Sequence, residues 1–169
     1  DMNKLVIVTT KEVNRQMTNL LEIAHDIKKV CDTTDPENIR EAVTMLAPCK
    51  TGVGVDDARV MLDGYEWRFI REDAIDEIMQ DELMFDEYIL GCFNASFLAS
   101  VLDIDIDVIE AMQKAEAFEA IGKLVNSMNK LEELQSEYVK ADGYGHHFAH
   151  YDGHECALRS QPYYAFKLG

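Results

Sequence analysis

Apolar residues recur at helical spacing in the first part of the chain. Between residues 11 and 31 they fall at Val13, Met17, Leu20, Ala24, Ile27 and Cys31, which predicts a helix with one buried face. Residues 4–9 (KLVIVT) form a short β-prone run, expected either to pair with a later strand or to lead into that helix. Residues 32–35 are polar turn material. Pro36 suits a first helical position, and Thr34 and Glu37 have the spacing of a capping box. Ile39, Ala42, Val43 and Leu46 give the next helix one apolar face, and Pro48 ends it. Residues 50–55, with Gly52 and Gly54, read as a loop and as a mobile connection.

The period then changes. Val60, Met61 and Leu62 and the run Tyr65, Glu66, Trp67, Arg68, Phe69 flank Asp63 and Gly64, and a D-G pair between β-prone runs predicts a hairpin. Residues 73–83 place Ile75, Ile78, Met79 and Leu83 on one side and acids on the other, an amphipathic helix. Residues 86–102, almost uncharged after the first two, are expected to form a single central helix. Residues 105–140 are helical by period, with Gly122 and residues 126–129 as candidate breaks. Two β-like runs in the tail, 146–151 and 163–168, predict a second hairpin turning at Asp152 and Gly153. The fold class expected is α+β: a mainly helical core with one or two β-hairpins, one of them C-terminal. The 169 residues fit a single domain, with residues 1–49 as its N-terminal helical part and 55–169 as its acidic core.

Charge sharpens this picture. The net charge is −16 and unevenly spread: residues 1–50 carry 8 acids and 7 bases, residues 51–100 carry 12 and 3, and residues 101–169 carry 12 and 6. No Lys or Arg occurs from residue 72 to residue 113, where twelve acids fall. Such a field repels phosphate backbones, which argues against direct nucleic-acid binding, and attracts basic surfaces. Glu72/Asp73, Asp76/Glu77, Asp81/Glu82 and Asp86/Glu87 recur as doublets every four or five residues, which keeps negative charge on one helix flank. Asp103, Asp105 and Asp107 extend the field. These eleven acids are the candidate partner-binding residues.

Other chemistry is less supported. No run approaches the ~20 consecutive apolar residues of a membrane span, and the longest apolar-rich run, 88–102, is interrupted by Gly91, Asn94 and Ser96. No secretory leader is recognisable, and Met2 reads as the native start behind Asp1. The four cysteines, Cys31, Cys49, Cys92 and Cys156, are widely spaced, as expected of reduced thiols in a cytoplasmic protein. Residues 95–112 mimic a helix-turn-helix at Leu98, Ala99, Leu102, Ile104, Ile109 and Met112. The would-be recognition helix opens Asp105, Ile106, Asp107, offering carboxylates where base-reading donors are needed. His146, His147, His150, Asp152 and His154 form the alternative site, for a metal or for acid–base chemistry. On a strand, though, His146 and His150 stand ~13 Å apart, and no nucleophile motif accompanies them. The reading therefore leans away from an enzyme and expects no cofactor.

Three stretches, Leu62 to Ile70 (LDGYEWRFI), Leu90 to Asn94 (LGCFN) and Asp142 to Phe148 (DGYGHHF), are similar to an uncharacterised family of small acidic proteins carried by phages, prophages and plasmids. The similarity covers residues 60–169. It implies a mobile-element context and supplies no catalytic residues. In that context the acidic face is expected to inhibit a host nucleic-acid-binding or defence protein by imitating nucleic acid. The expected partner is a host protein with a basic surface. A homodimer through Trp67, Phe69 and the tail tyrosines is a further expectation.

Overall fold

The computed structural model describes residues 2–47, 54–150 and 152–169. Helix α1 (Met2–Val30) takes in the KLVIVT run, so β-branched side chains here yield to the continuity of a long helix. Lys28 and Lys29 occupy its last turn, where positive charge opposes the helix dipole. Helix α2 (Pro36–Leu46) starts where Pro36 predicts, but its cap is Asp35 rather than Thr34. The Asp35 carboxylate accepts from the N–H groups of Glu37 (2.8 Å) and Asn38 (3.4 Å). Pro48 and residues 50–53 of the expected loop lie outside the described residues.

Strands β1 (Asp57–Leu62) and β2 (Tyr65–Arg71) make the predicted hairpin, with Leu62 opposite Tyr65. Both turn residues are left-handed, Asp63 at φ 51° and Gly64 at φ 83°. A two-residue turn of that hand matches the natural twist of the strands it joins.

The chain splits into two compact units, Asp1–Ala74 with Tyr144–Gly169, and Ile75–Gly143. The second comprises α3 (Ile75–Phe85), α4 (Glu87–Cys92), α5 (Ala95–Leu102), α6 (Ile106–Lys114), α7 (Phe118–Ser127) and α8 (Leu131–Asp142). The expected central helix over 86–102 is therefore two helices. Asn94 divides them: its side chain accepts from the N–H groups of Ser96 and Phe97 and so caps α5. The expected helix over 105–140 is three. A left-handed Glu116 (φ 57°) precedes α7, and a left-handed Asn129 (φ 55°) precedes α8.

Gly122 is no break. It sits inside α7 where a Cβ would lie 2.0 Å from the carbonyl oxygen of Glu87, and Gly91 of α4 meets Phe118 in the same way at 2.1 Å. The two helices thus run antiparallel and touch backbone to backbone at both ends of the contact. Gln113 of α6 donates to the carbonyls of Gly91 (2.9 Å) and Phe93 (2.8 Å), closing the frayed end of α4. Buried Gln135 of α8 donates to Asp76 at the start of α3.

In the first unit the tail contributes a one-turn helix α9 (Gly145–Phe148), then β3 (Cys156–Ala157) and β4 (Tyr163–Lys167). The C-terminal hairpin is β3–β4, turning through residues 158–162, and residues 146–150 do not form its first strand. Among the described residues the sheet has four antiparallel strands in the order β1-β2-β4-β3. One face carries Val60, Leu62, Trp67, Phe69, Tyr163 and Ala165, which pack with Ile23 and Ile27 of α1 and Ala42 and Leu46 of α2. On β2 the intervening Arg68 and Ile70 are buried as well. The Arg68 guanidinium makes a two-bond pair with Asp57 (3.0 and 2.7 Å) and lies 4.9 Å from the ring centre of Phe148. Phe148 in turn packs on Phe166 at 5.1 Å. The same burial places Trp67, Phe69 and Tyr163 inside the unit, whereas Tyr144 and Tyr164 of the expected dimer patch are half-buried.

Candidate functional site

The eleven candidate acids are divided between the two units. Glu72 and Asp73 belong to the first unit, and the rest to the second. Asp73 is already paired with Arg71, whose guanidinium also meets Asp56 at 2.7 Å. On α3, Asp76, Glu77 and Asp81 are exposed and Glu82 is half-buried. Asp76 accepts the Gln135 amide at 3.0 Å, whereas Glu77 and Asp81 have no side-chain partner among the described residues. Asp86 caps α4 through the Ile89 N–H (2.9 Å), and Glu87 lies 3.8 Å from Lys123. Several of these carboxylates thus have a local structural task, because acids cap helices and oppose the helix dipole at N-termini.

Asp103, Asp105 and Asp107 form a second acidic group at the α5–α6 turn. Asp103 is left-handed (φ 55°, ψ 46°) and closes α5, and Asp105 caps α6 by accepting from the Asp107 N–H at 2.9 Å. The turn has helix-turn-helix spacing, as the apolar pattern indicates, with carboxylates at the mouth of the second helix. Since α6 reaches α4 through Gln113 near its far end, the turn at Asp105 lies about 12 Å further along the helix at ~1.5 Å per residue.

The α3–α4 corner carries a feature that charge counting misses. Met84, Phe85, Tyr88 and Ile89 are all exposed there, Phe85 by 82%. Tyr88 is held edge-on to Phe118 at 5.2 Å, so the corner is braced from below by the α4–α7 contact. Exposed single apolar residues are ordinary, but four at one corner flanked by acids make a patch. The sequence signal was present in Met84 and Phe85 following Leu83, one step beyond the amphipathic face of α3. Leu83 completes that face and is buried, which leaves the next two residues pointing outward.

The histidine-rich segment is not gathered into a ligand set. His147 stacks edge-on to Phe148 at 4.6 Å, and His154 Nδ1 lies 3.6 Å from Asp152, whose other carboxylate oxygen accepts the His154 N–H. His146 and His150 are exposed. Among the described residues no group of three or more His, Cys, Asp or Glu side chains could hold a metal ion. The glycines explain themselves structurally. A Cβ at Gly145 would meet the Gly153 carbonyl oxygen at 2.2 Å, and the Gly145 N–H donates to Glu155 at 3.0 Å. The segment's evident work is to seat Phe148 against the sheet. A shallow cleft of about 470 Å³ lies elsewhere in the same unit, at the α1 surface, lined by Glu22, His25, Asp26 and Arg159 among others.

Fold and surface together describe a small α+β protein whose helical unit presents a carboxylate-flanked apolar corner. No protein-family model, curated protein or solved structure matches the chain. Among the described residues no helix is long and apolar enough to cross a membrane.

Proposed function

We propose that this protein is an acidic interaction module of a mobile genetic element. It works in the cytoplasm and occupies the basic, nucleic-acid-binding surface of a host protein, in the manner of an inhibitor. The observation that carries the reading is the α3–α4 corner: exposed Phe85 and its apolar neighbours, flanked by exposed Asp81 and Glu77, in a stretch with no Lys or Arg from residue 72 to residue 113. Stable interfaces have this anatomy, an apolar centre that is desolvated and a charged rim that steers and orients. A purely solvated acidic helix needs no aromatic side chain held out into water. Nucleic acid itself is repelled by the same field.

Capture of the tagged protein from nuclease-treated host lysate, eluted with increasing salt and read by mass spectrometry, tests this together with two variants. Phe85→Ala removes an anchor worth about 2 kcal/mol or more if it fills a partner pocket, roughly a thirtyfold loss of affinity. Glu77→Lys with Asp81→Lys should slow association and flatten the salt dependence. A captured protein that both variants retain as well as the parent would reject the proposal.

A further inference from the structure

The β1 edge of the sheet is open among the described residues, and we infer that it pairs, antiparallel and in one register, with β1 of a second copy of this chain. The Asp56 carbonyl accepts the Arg71 N–H and Leu62 stands opposite Tyr65, so the even-numbered residues of β1 exchange backbone bonds with β2. The N–H and C=O groups of Asp57, Arg59 and Met61 therefore point away from β2, and among the described residues no backbone group bonds them. The same three residues are the exposed ones of the strand. β1 is six residues long and has no proline to block an added strand. The opposite edge ends in β3, only two residues long, and a short edge strand is one way proteins prevent such pairing.

Charge on β1 selects both the occupant and the register. A lone charge on an edge strand opposes self-pairing, because a two-fold axis through it sets like against like. Asp57 and Arg59 instead carry opposite charges two positions apart on one face. A two-fold axis beside Ala58 sets Asp57 of each copy opposite Arg59 of the other, and the two residues exchange N–H···O bonds across the join. Met61 (54% exposed) then comes level with Val55 (43%) of the second copy. Moving the axis to Arg59 would set two guanidiniums face to face. Both charges are available for the pairing. Arg59 is held only at 3.7 Å from Glu66. Asp57 is fixed by its two bonds from Arg68, and a carboxylate has about four lone-pair sites, enough to accept a second guanidinium. The unit that holds β1 carries 16 acids against 12 bases, and residues 75–143 carry 16 against 4, so the sheet-bearing unit is the less charged of the two. The pairing is independent of the proposed inhibitor role.

Sedimentation equilibrium on the full chain over about 1–200 µM, in about 0.15 M salt where charges are screened beyond about 8 Å, should show the parent passing from monomer to dimer. Arg59→Pro removes an outward N–H and points its ring at the incoming strand, with no bond to β2 lost. That variant should be folded by circular dichroism and monomeric throughout the range. Arg59→Ala decides the register. It should weaken the dimer about tenfold if Arg59 faces Asp57 of the second copy, and tighten it if Arg59 faces Arg59. A parent that is monomeric at 200 µM, a dimer that Arg59→Pro leaves intact, a dimer that Arg59→Ala tightens, or one that Phe85→Ala dissolves instead, overturns the inference.

Discussion

Replacing Gly122 by Ala sets two well-known effects against each other, and the structure decides which wins. In a helix interior the change should stabilise by about 1 kcal/mol, because alanine loses less conformational freedom on folding. Here the new Cβ would stand 2.0 Å from the Glu87 carbonyl oxygen and 2.6 Å from its carbon, both backbone atoms that cannot turn aside. Ordinary contact requires that α4 and α7 separate by more than 1 Å. Overpacking costs about 1–3 kcal/mol, and a clash with fixed backbone atoms belongs in the upper part of that range, about 2–3 kcal/mol, so after the helix gain the net expectation is a loss of about 1–2 kcal/mol. That corresponds to a fall in melting temperature of about 2–8 °C at ~2–4 °C per kcal/mol for a chain of this size. Gly91→Ala strains the other end of the same contact, at Phe118. Once the helices have parted for one alanine the second costs less, so the double variant should lose less than the sum of the singles. Urea unfolding followed by circular dichroism gives the totals, and hydrogen exchange across α4 and α7 shows whether the loosening is local. A Gly122→Ala protein as stable as the parent, or more so, would refute the backbone-contact account.

Two more expectations follow from buried or exposed single groups. Asp26 is buried on α1 and accepts the N–H groups of Arg159 (2.9 Å) and Ser160 (2.7 Å), tying the β3–β4 connection to the helix. Burial works against its ionisation, but hydrogen bonds from Ser160 and Arg159 outweigh it and hold the carboxyl below its usual range. The stability it contributes is therefore present above the unfolded carboxyl value near 3.8 and is lost as pH falls through the lower folded value. Asp26→Ala should cost about 1–3 kcal/mol at neutral pH, and its urea midpoint should fall less steeply in acid than the parent's; parallel curves would count against this. For the cysteines, exposed Cys92 should alkylate rapidly at pH 8. Cys31, its thiol raised by burial and by nearby Cys156, and Cys156, raised by burial and by Asp152 and Glu155, should react far more slowly. Peptide mapping by mass spectrometry after timed iodoacetamide treatment reads each thiol separately, and equal labelling of all three would show the core to be open.

Local chemistry made some of this fold readable. Asp63 and Gly64 specify their turn by conformation alone, and Pro36 with the period of Ile39, Ala42 and Leu46 specifies α2. What stayed hidden depended on distant partners. The apolar run 86–102 gives no hint in its hydrophobicity that Asn94 will turn its side chain back to cap α5. Gly122 and Gly145 look like breakers, and only the backbones of Glu87 and Gly153 explain why a side chain is not tolerated there. β3 is two residues long and exists as a strand because β4 pairs with it, so no period could announce it. At the surface the acids were legible as charge, but their division into a cap, an amide partner, an ion pair and free carboxylates was not. The apolar corner at Phe85 emerged only when Leu83 was seen to complete the buried face.

The strand order carries a consequence for synthesis. β2 lies between β1 and β4, and β4 is made only after the whole of Ile75–Gly143 has been translated. As the chain leaves the ribosome, the helical unit is the first contiguous sequence that can close on itself, while the β1–β2 hairpin waits with one edge unpaired. That edge, with Trp67 and Phe69 beside it, is the part of the molecule most exposed to wrong partners during those seconds. A released chain ending just before Tyr163 should accordingly hold a protease-resistant helical unit attached to a sheet that has yet to form.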